Sequence, residues 1–163
     1  MATISSARFY LAGLQDFFKT SMGWITGTGS YKMFLLDDTY TPNQDTHLTY
    51  AGINGDELSG GGYTAGGVAL TGLAVYSDSY PSPGGTIVLL ADDVVFPSLT
   101  SSIIRHAAIY NTATGCLICY FQWNGNITAS SQDFTVAFPD LVIDGYTYTG
   151  VVGTISLSTT SPT

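Results

Sequence analysis

Residues 103–123 read IIRHAAIYNTATGCLICYFQW, and this stretch decides the fold. It contains two apolar runs, residues 103–110 and 117–123, separated by a short segment that includes Thr114-Gly115. Runs of this length predict β-strands, and the glycine-containing segment predicts the turn between them. Because both runs are almost continuously apolar instead of alternating, we expect these strands to be covered on both faces.

The rest of the chain shows the same pattern of short apolar runs separated by turns. Turn-forming residues separate the runs at Asn54-Gly55, Pro83-Gly84-Gly85, Asn124-Gly125 and Asp144-Gly145. Further strands are predicted at residues 31–36, 68–76, 86–90, 134–138 and 146–157. The sequence therefore predicts a mainly β fold, either an antiparallel, jelly-roll-like β-sandwich or a β-barrel.

Residues 6–22 carry the only convincing helical periodicity of the sequence. Apolar and aromatic side chains recur there at spacings of three and four, as in an amphipathic helix. They are Phe9 or Tyr10, Leu14, Phe17 and Phe18. Gly23 follows where a helix C-cap favours glycine. We therefore expect one N-terminal α-helix whose aromatic stripe docks on the sheet.

The length of 163 residues fits a single domain. Residues 37–65 form a long polar stretch, and loops of this length are uncommon in compact domains unless they bind something or are disordered. Tyr63 within the glycine-rich end of this stretch favours a functional loop over a linker. Residues 156–163 are predicted to form a flexible C-terminal tail.

The formal charge of −8 excludes two classes of partner. Twelve acidic residues oppose four fixed cations, Arg8, Lys19, Lys32 and Arg105. Nucleic acid binding needs several cations that neutralise phosphates, and an anionic membrane surface repels an acidic protein. No run reaches the roughly 20 apolar residues of a membrane span, and the first residues do not form a signal peptide. We expect synthesis in a reducing cytoplasm.

The residues that carry most enzyme chemistry lack the patterns that catalysis requires. Cys116 and Cys119 form a CxxC pair, but inside an apolar β run, which favours buried structural thiols over a redox or zinc site. His47 and His106 have no local catalytic motif, although Asp45 is close enough along the chain to pair with His47. We expect no enzymatic activity, no cofactor and no metal.

Adjacent acidic residues occur at Asp37-Asp38, Asp56-Glu57 and Asp92-Asp93. Paired acids can serve a glycosidase or bind calcium. However, adjacent residues on a strand face opposite ways, and the spacing of an EF-hand is missing. Surface or turn roles are therefore favoured, and Asp92-Asp93 is predicted to close a turn between two strands.

Several short motifs share an order and spacing with a known group of proteins. They are residues 40–47 (YTPNQDTH), 58–67 (LSGGGYTAGG), 91–96 (ADDVVF), 105–110 (RHAAIY) and 117–123 (LICYFQW). The series resembles the small structural proteins of tailed bacteriophages, whose typical motifs are YTPDxDTH, SGxGYTAGG, ADDVxW, RxAVIY and LIAYxDFG. The likeness covers roughly residues 6–140; Phe96 replaces a Trp, and residues 140–163 have no counterpart.

The resemblance implies a virion protein with a β-sandwich or jelly-roll-like fold, most simply a capsid decoration (cement) protein. Its partners would be the major capsid protein and copies of itself, with a symmetric trimer as one arrangement. We expect it to be made in the host bacterial cytoplasm and to lie on the capsid exterior. Aromatic and loop residues near turns are the candidates for the interface: Tyr40, Pro42, His47, Tyr50, Tyr63, Tyr76 and Tyr80.

Three other functions stay open. A tail- or fibre-associated virion component would use the same fold with another partner. A carbohydrate-binding module would stack sugars on exposed aromatic residues such as Trp24 and Trp123. A glycan hydrolase would use the paired acids, although no motif supports it.

Overall fold

The computed structural model describes residues 4–10, 31–78, 86–143 and 146–156. Within these ranges β-strands predominate, and the helices are two short 3-10 helices at Tyr50–Gly52 and Asn54–Asp56. The strands are β1 (Ile4–Phe9), β2 (Tyr31–Leu36), β3 (Val68–Ala69), β4 (Ala74–Asp78), β5 (Thr86–Leu90), β6 (Val94–Asn111), β7 (Leu117–Val136), β8 (Leu141–Ile143), β9 (Tyr146–Tyr148) and β10 (Val151–Ser156).

All strand pairs are antiparallel. A five-stranded sheet has the order β1-β7-β6-β2-β3, a three-stranded sheet has the order β10-β5-β4, and β8 pairs with β9. The predicted mainly β, antiparallel fold is confirmed. The described strands form open sheets, so the closed-barrel alternative is wrong for this part of the chain.

The hairpin of β6 and β7 is the centre of the large sheet. Ala107 pairs with Phe121 and Ile109 with Cys119, so the two apolar runs lie side by side as predicted. The turn between them closes with the Gly115 N–H donating to the Asn111 carbonyl at 2.7 Å, and Gly115 has a φ of 75°. Glycine adopts this left-handed conformation without steric cost, which explains why the predicted turn falls here.

The large sheet is apolar on both faces. On one face Met33, Leu35, Ile109 and Phe121 join Leu89 and Val152 of the three-stranded sheet in the main core. The opposite face carries a second cluster in which the strand residues are Phe34, Leu36, Ala108, Tyr110, Leu117 and Tyr120. Tyr40 and Ile53 of the long loop complete this second cluster. The expectation of two covered faces is confirmed.

The long loop is fixed to the sheet by backbone hydrogen bonds. The Leu58 N–H donates to the Leu35 carbonyl at 3.0 Å, and the Leu117 N–H donates to the Leu48 carbonyl at 3.1 Å. The Tyr50 N–H donates to the Gly115 carbonyl at 2.8 Å. Since each bond joins the loop to β2 or to the central hairpin, the loop acts as the second cover of the sheet.

The predicted N-terminal helix is wrong at its start. Ile4–Phe9 form strand β1, in which Ile4 pairs with Trp123 and Phe9 with Cys119 of β7. The free edge of β7 offers backbone partners to this segment, and tertiary pairing of this kind overrides local helical periodicity. Tyr10 enters the second cluster. The rest of the predicted helix, residues 11–22, lies outside the described residues.

Strand lengths and one turn also differ from the prediction. β6 has 18 residues and β7 has 20, both far longer than their apolar runs. Asn124-Gly125, predicted as a turn, lies inside β7. There Ile104 pairs with Ile127 and His106 with Gln122, so the additional residues of β7 form a bulge in the ladder.

Two predicted strands are interrupted. The strand expected over residues 68–76 splits into β3 and β4, and that expected over 146–157 splits into β9 and β10. The predicted bounds of β2 and β5 are confirmed, and Asp92-Asp93 lies in the irregular connection from β5 of the three-stranded sheet to β6 of the five-stranded sheet. The turns at residues 83–85 and 144–145, and the tail beyond Ser156, lie outside the described residues.

Replacing Gly67 by alanine should destabilise the protein by at least about 2 kcal/mol. Gly67 has a φ of 71° where the loop rejoins the sheet, and a Cβ there would overlap the backbone carbonyl of Met33. The free energy of unfolding, measured by chemical denaturation, tests this. Gly55→Ala is the matched control, because a Cβ at Gly55 meets nothing within 4 Å. Equal effects of the two substitutions would contradict the account.

Candidate functional site

Glu57, the only glutamate of the sequence, organises one side of the long loop. Its Oε1 accepts hydrogen bonds from the Tyr63 hydroxyl at 2.6 Å and from the Gly66 N–H at 2.8 Å. Its Oε2 accepts the Tyr50 hydroxyl at 2.6 Å. The Tyr63 hydroxyl in turn accepts the Leu35 N–H of β2 at 3.0 Å. One half-buried carboxylate thus joins three parts of the loop to the sheet.

Aromatic packing surrounds this carboxylate. The rings of Tyr50 and Tyr110 stack with centroids 4.4 Å apart, and Phe34 meets both rings edge-on. Burial, followed by the hydrogen bond to Glu57, raises the pKa of Tyr50 to about 12. The same two causes raise the pKa of Tyr63 well above its usual value. Both hydroxyls therefore stay protonated at neutral pH and act as hydrogen-bond donors.

A second polar network links Tyr10, Tyr40 and the histidines. The hydroxyls of Tyr10 and Tyr40 hydrogen-bond each other in the interior. The Tyr40 hydroxyl also bonds Nδ1 of His47 at 2.9 Å. Burial raises the pKa of Tyr40 to about 12 and that of Tyr10 further still. In the described residues His47 bonds the Tyr40 hydroxyl and the Asn43 N–H, so it makes contacts within the loop.

His106 is buried beneath the loop. Its side chain is 2% exposed, its ring meets the Tyr40 ring edge-on at 5.3 Å, and its Nδ1 lies 3.3 Å from the Asp37 carbonyl. Its Nε2 has no hydrogen-bond partner among the described residues. Burial lowers the pKa of His106, and the nearby Arg105 acts in the same direction. The neutral His106 imidazole therefore lies where the loop packs on the sheet.

Other acidic residues of the predicted pairs accept structural hydrogen bonds. Asp37 accepts hydrogen bonds from the N–H and hydroxyl of Thr39, and Asp92 accepts the Thr71 hydroxyl. Asp93 accepts the Phe138 N–H at 2.9 Å. In the described part of the chain no group of three His, Cys, Asp or Glu side chains is placed to hold a metal ion. Asp38, Asp92 and Asp93 are exposed, as the predicted surface role requires, whereas that prediction is wrong for Glu57, which is half-buried among the tyrosines.

Both cysteines are free thiols. Cys119 is buried on β7, and burial raises the pKa of its thiol well above the usual range. Cys116 is partly exposed, and its backbone forms an isolated antiparallel β-bridge with Thr49 of the loop. Cys119 is thus buried as predicted, whereas Cys116 is only partly buried.

The predicted interface residues fall into three groups. Tyr40 is buried, whereas Pro42, His47, Tyr50 and Tyr63 are partly buried in the loop that covers the sheet. Tyr76 on β4 is 51% exposed. Tyr80 lies outside the described residues. The hydroxyls of Tyr40, Tyr50 and Tyr63 are directed to partners within the chain, so these three residues build the scaffold and offer a partner little area.

Trp123, proposed as an exposed platform for sugars, is in the main core at 2% exposure. It meets Phe134 edge-on at 5.8 Å. Since a sugar stacks only on an accessible ring face, the carbohydrate-binding prediction is wrong for this residue. Trp24 lies outside the described residues.

A polar cleft of about 450 Å³ lies where β4 and β5 meet the segments after β7 and before β10. Tyr76, Asp92, Asp93 and Asp140 line it. A separate, mainly apolar groove of about 390 Å³ lies between β1 and β10, with Phe9 and Phe121 in its wall. Cys119 and Asp140 both line this groove, but burial raises the pKa of the Cys119 thiol and so disfavours the thiolate that nucleophilic catalysis needs.

The β6–β7 hairpin extends well beyond its two central apolar runs. We call residues 94–104 of β6 and 124–136 of β7 the distal ribbon. Its buried side chains, among them Phe96, Leu99 and Phe134, belong to the main core. Its exposed side chains are mostly Ser, Thr, Asn and Gln, and Asp133 is the one charged residue of the two segments. Val95 and Ile103 are 42% and 41% exposed.

Sequence reasoning missed both the distal ribbon and the Glu57 network. The middle of the ribbon, residues 98–102 and 124–133, is rich in Ser, Thr and Asn and contains an Asn-Gly pair, so it resembles a loop when read alone. The Glu57 network depends on contacts that join residues distant along the chain, such as Leu35 to Tyr63. The one available signal was the presence of a single glutamate within a stretch rich in tyrosine.

Comparison with protein-family models, curated proteins and solved structures gives no match. Among the described residues there is no helix long and apolar enough to cross a membrane.

Replacing Glu57 by glutamine should lower the free energy of unfolding by about 1–3 kcal/mol, because charge-assisted hydrogen bonds from two hydroxyls and one N–H are weakened. Chemical denaturation measures the effect. Asp45→Asn is the control, since it makes the same acid-to-amide change at an exposed loop position. A Glu57→Gln protein as stable as the control would show that the carboxylate does not hold the loop.

Stability should fall as the pH drops from about 7 to about 5, partly because of His106. The unfolded chain protonates this histidine near its usual pKa of about 6.5, whereas burial lowers the pKa in the folded state. The stabilisation is therefore present above about pH 6.5 and is lost below it. His106→Gln should flatten the pH dependence of the unfolding free energy relative to the wild-type protein. An unchanged slope in His106→Gln would contradict this.

Proposed function

We propose that this chain is a structural protein of a bacteriophage particle that decorates the outside of the capsid and reinforces it. The proposal rests first on the series of motifs shared with small structural proteins of tailed phages. The location on the capsid exterior, the partnership with the major capsid protein and the absence of catalysis all belong to this proposal.

The observation that supports it most is the composition of the distal ribbon. Exposed surfaces of soluble domains usually carry many Lys, Glu and Asp side chains, whereas the cores of protein interfaces are depleted of them. The ribbon exposes hydroxyl and amide side chains together with Val95 and Ile103, and only Asp133 is charged. Asp133 already accepts the Ser98 N–H at 3.1 Å. Such a surface loses little hydration free energy when a partner covers it.

The fixed loop also favours a structural role. Binding costs less when the surfaces are already ordered, because fewer side chains and backbone segments lose freedom. Glu57 and the tyrosines around it hold the loop on the sheet in the isolated chain. The protein thus offers a preformed surface to each partner.

The mechanism is mass action. A protein that binds the assembled shell but not the broken shell stabilises the assembled state in proportion to its occupancy. Each specific contact should bury about 1,200–2,000 Å² in total, and many equal contacts add up over the lattice of a capsid. No chemical step is needed, and rigidity is the property that matters.

The copy number per particle tests the proposal. Quantitative gel densitometry of purified particles, from a phage that encodes this chain, compares its band with that of the major capsid protein. We expect a simple fixed ratio to the capsid protein, such as one copy per subunit or per group of three subunits. A small number of copies per particle would assign the protein to the tail instead, and absence from particles would contradict a virion role.

A further inference from the structure

The first part of the long loop, residues 38–47, is anchored by a single buried side chain. We call these residues the Tyr40 arm. Tyr40 is 3% exposed, and every other residue of the arm is exposed or only partly buried. Two side-chain hydrogen bonds also join the arm to strands: Gln44 Nε2 to the Phe9 carbonyl at 2.7 Å, and Asn126 Nδ2 to Asp38 Oδ2 at 2.6 Å. Displacement of Tyr40 therefore weakens the attachment of the whole arm.

Both histidines of the sequence contact the Tyr40 ring. The His106 ring, on β6, meets it edge-on with centroids 5.3 Å apart, and the His47 ring, on the arm itself, lies 5.4 Å away. The Tyr40 hydroxyl also bonds Nδ1 of His47 at 2.9 Å. The anchor of the arm thus packs between the two side chains whose usual pKa places their charge change between about pH 5 and pH 8.

The surroundings of His106 suit only a neutral ring. Its Nδ1 lies 3.3 Å from the Asp37 carbonyl, and its Nε2 is buried without a hydrogen-bond partner among the described residues. Protonation places a hydrogen on both nitrogens, so the Nε2–H and the positive charge would be buried without an acceptor. Asp37, directly before the arm, and Tyr40 within it cover this ring. Displacement of the arm would therefore let water reach Nε2.

The groups around His106 compensate its positive charge only weakly. Arg105, its neighbour on β6, opposes the charge, whereas Asp37 favours it. Burial outweighs the attraction of Asp37, so the pKa of His106 is lowered. Three uncharged residues lie next to His106 on the other elements: Tyr40 of the arm, Leu36 of β2 and Gln122 of β7. Two further titratable side chains, Tyr10 and His47, are linked to this site through the Tyr40 hydroxyl.

We propose that protonation of His106 releases the Tyr40 arm, so that the arm is closed on the sheet at neutral pH and opens in mild acid. The second part of the loop stays in place, because the backbone bonds of Tyr50 and Leu58 lie outside the arm. Departure of Tyr40 uncovers Tyr10, to which its hydroxyl is bonded, within the second cluster. Mild acid thus exposes aromatic surface that is covered at neutral pH.

Proton linkage sets the direction of this change. In the open form His106 is hydrated and has its usual pKa of about 6.5, whereas its pKa is lower in the closed form. The closed form is therefore favoured above about pH 6.5, and the ratio of open to closed protein rises as the pH falls below that value. From about pH 7.5 to about pH 5 the ratio should increase about tenfold.

Native-state proteolysis of the purified full chain tests the inference without any phage particle. Papain is active at both pH values and should cut the wild-type protein within residues 38–47 about tenfold faster at the lower pH. Mass spectrometry of the products locates each cut. A free peptide of residues 36–48 corrects for the pH dependence of the protease itself. An arm whose corrected rate of cutting does not rise in acid would overturn the inference.

Two variants assign the response to one histidine. His106→Gln keeps a neutral side chain at every pH and should abolish the acid response. His47→Gln is the matched control, since it makes the same change at the partly exposed histidine and should keep an acid response. Circular dichroism at neutral pH confirms that both variants are folded. A full response in His106→Gln, or its loss in His47→Gln alone, would overturn the inference.

An NMR titration of the wild-type protein supplies a test that needs no variant. The His106 ring and the backbone amides of Thr39 and Tyr40 should shift with one common midpoint, because protonation and release are the same event. A His106 ring that titrates while both amides keep their neutral-pH shifts would overturn the inference. Neither experiment depends on the proposed function, so failure here leaves the virion proposal to its own test.

Discussion

A β-sheet that is apolar on both faces requires a cover on each side, and this requirement shapes the whole chain. In the central hairpin of β6 and β7, Ala107 and Ile109 face the main core while Ala108 and Tyr110 face the second cluster. The three-stranded sheet covers the first face. No second sheet is available for the other face among the described strands, so the long loop covers it. The loop's sequence is polar because most of its residues still face water.

Covering an apolar face with irregular backbone demands internal partners for the polar groups that are buried. Tyrosine suits this task, since its ring packs on the sheet while its hydroxyl bonds a loop group. Tyr50 and Tyr63 do so through Glu57, and Tyr40 does so through Tyr10 and His47. These tyrosines, which the sequence predicted to contact a partner, therefore hydrogen-bond within the chain. The distal ribbon remains exposed to solvent. Its low charge is the observation behind the proposed contact with a partner protein.

The sequence predicted the elements whose apolar pattern is local. The bounds of β2 and β5 follow directly from short apolar runs, and Gly115 marks the turn between β6 and β7. It failed where tertiary pairing decides the outcome. β1 forms because the edge of β7 offers it partners, and Asn124-Gly125 becomes a bulge because β6 continues beside it. Trp123 and Tyr40 were misplaced for the same reason, since aromatic residues beside polar ones give no sign of burial.

Hydrogen exchange of the free protein, followed by NMR at single amides, tests most directly whether the loop is a structural cover. The amides of Tyr50, Leu58 and Leu117 bridge loop and sheet. They should exchange as slowly as amides between β6 and β7, because they open only when the loop separates from the sheet. If the Tyr50 and Leu58 amides exchanged at the rate of an open chain while the sheet stayed protected, the loop would be a separate mobile segment, and the account of a rigid, doubly covered sheet would be contradicted.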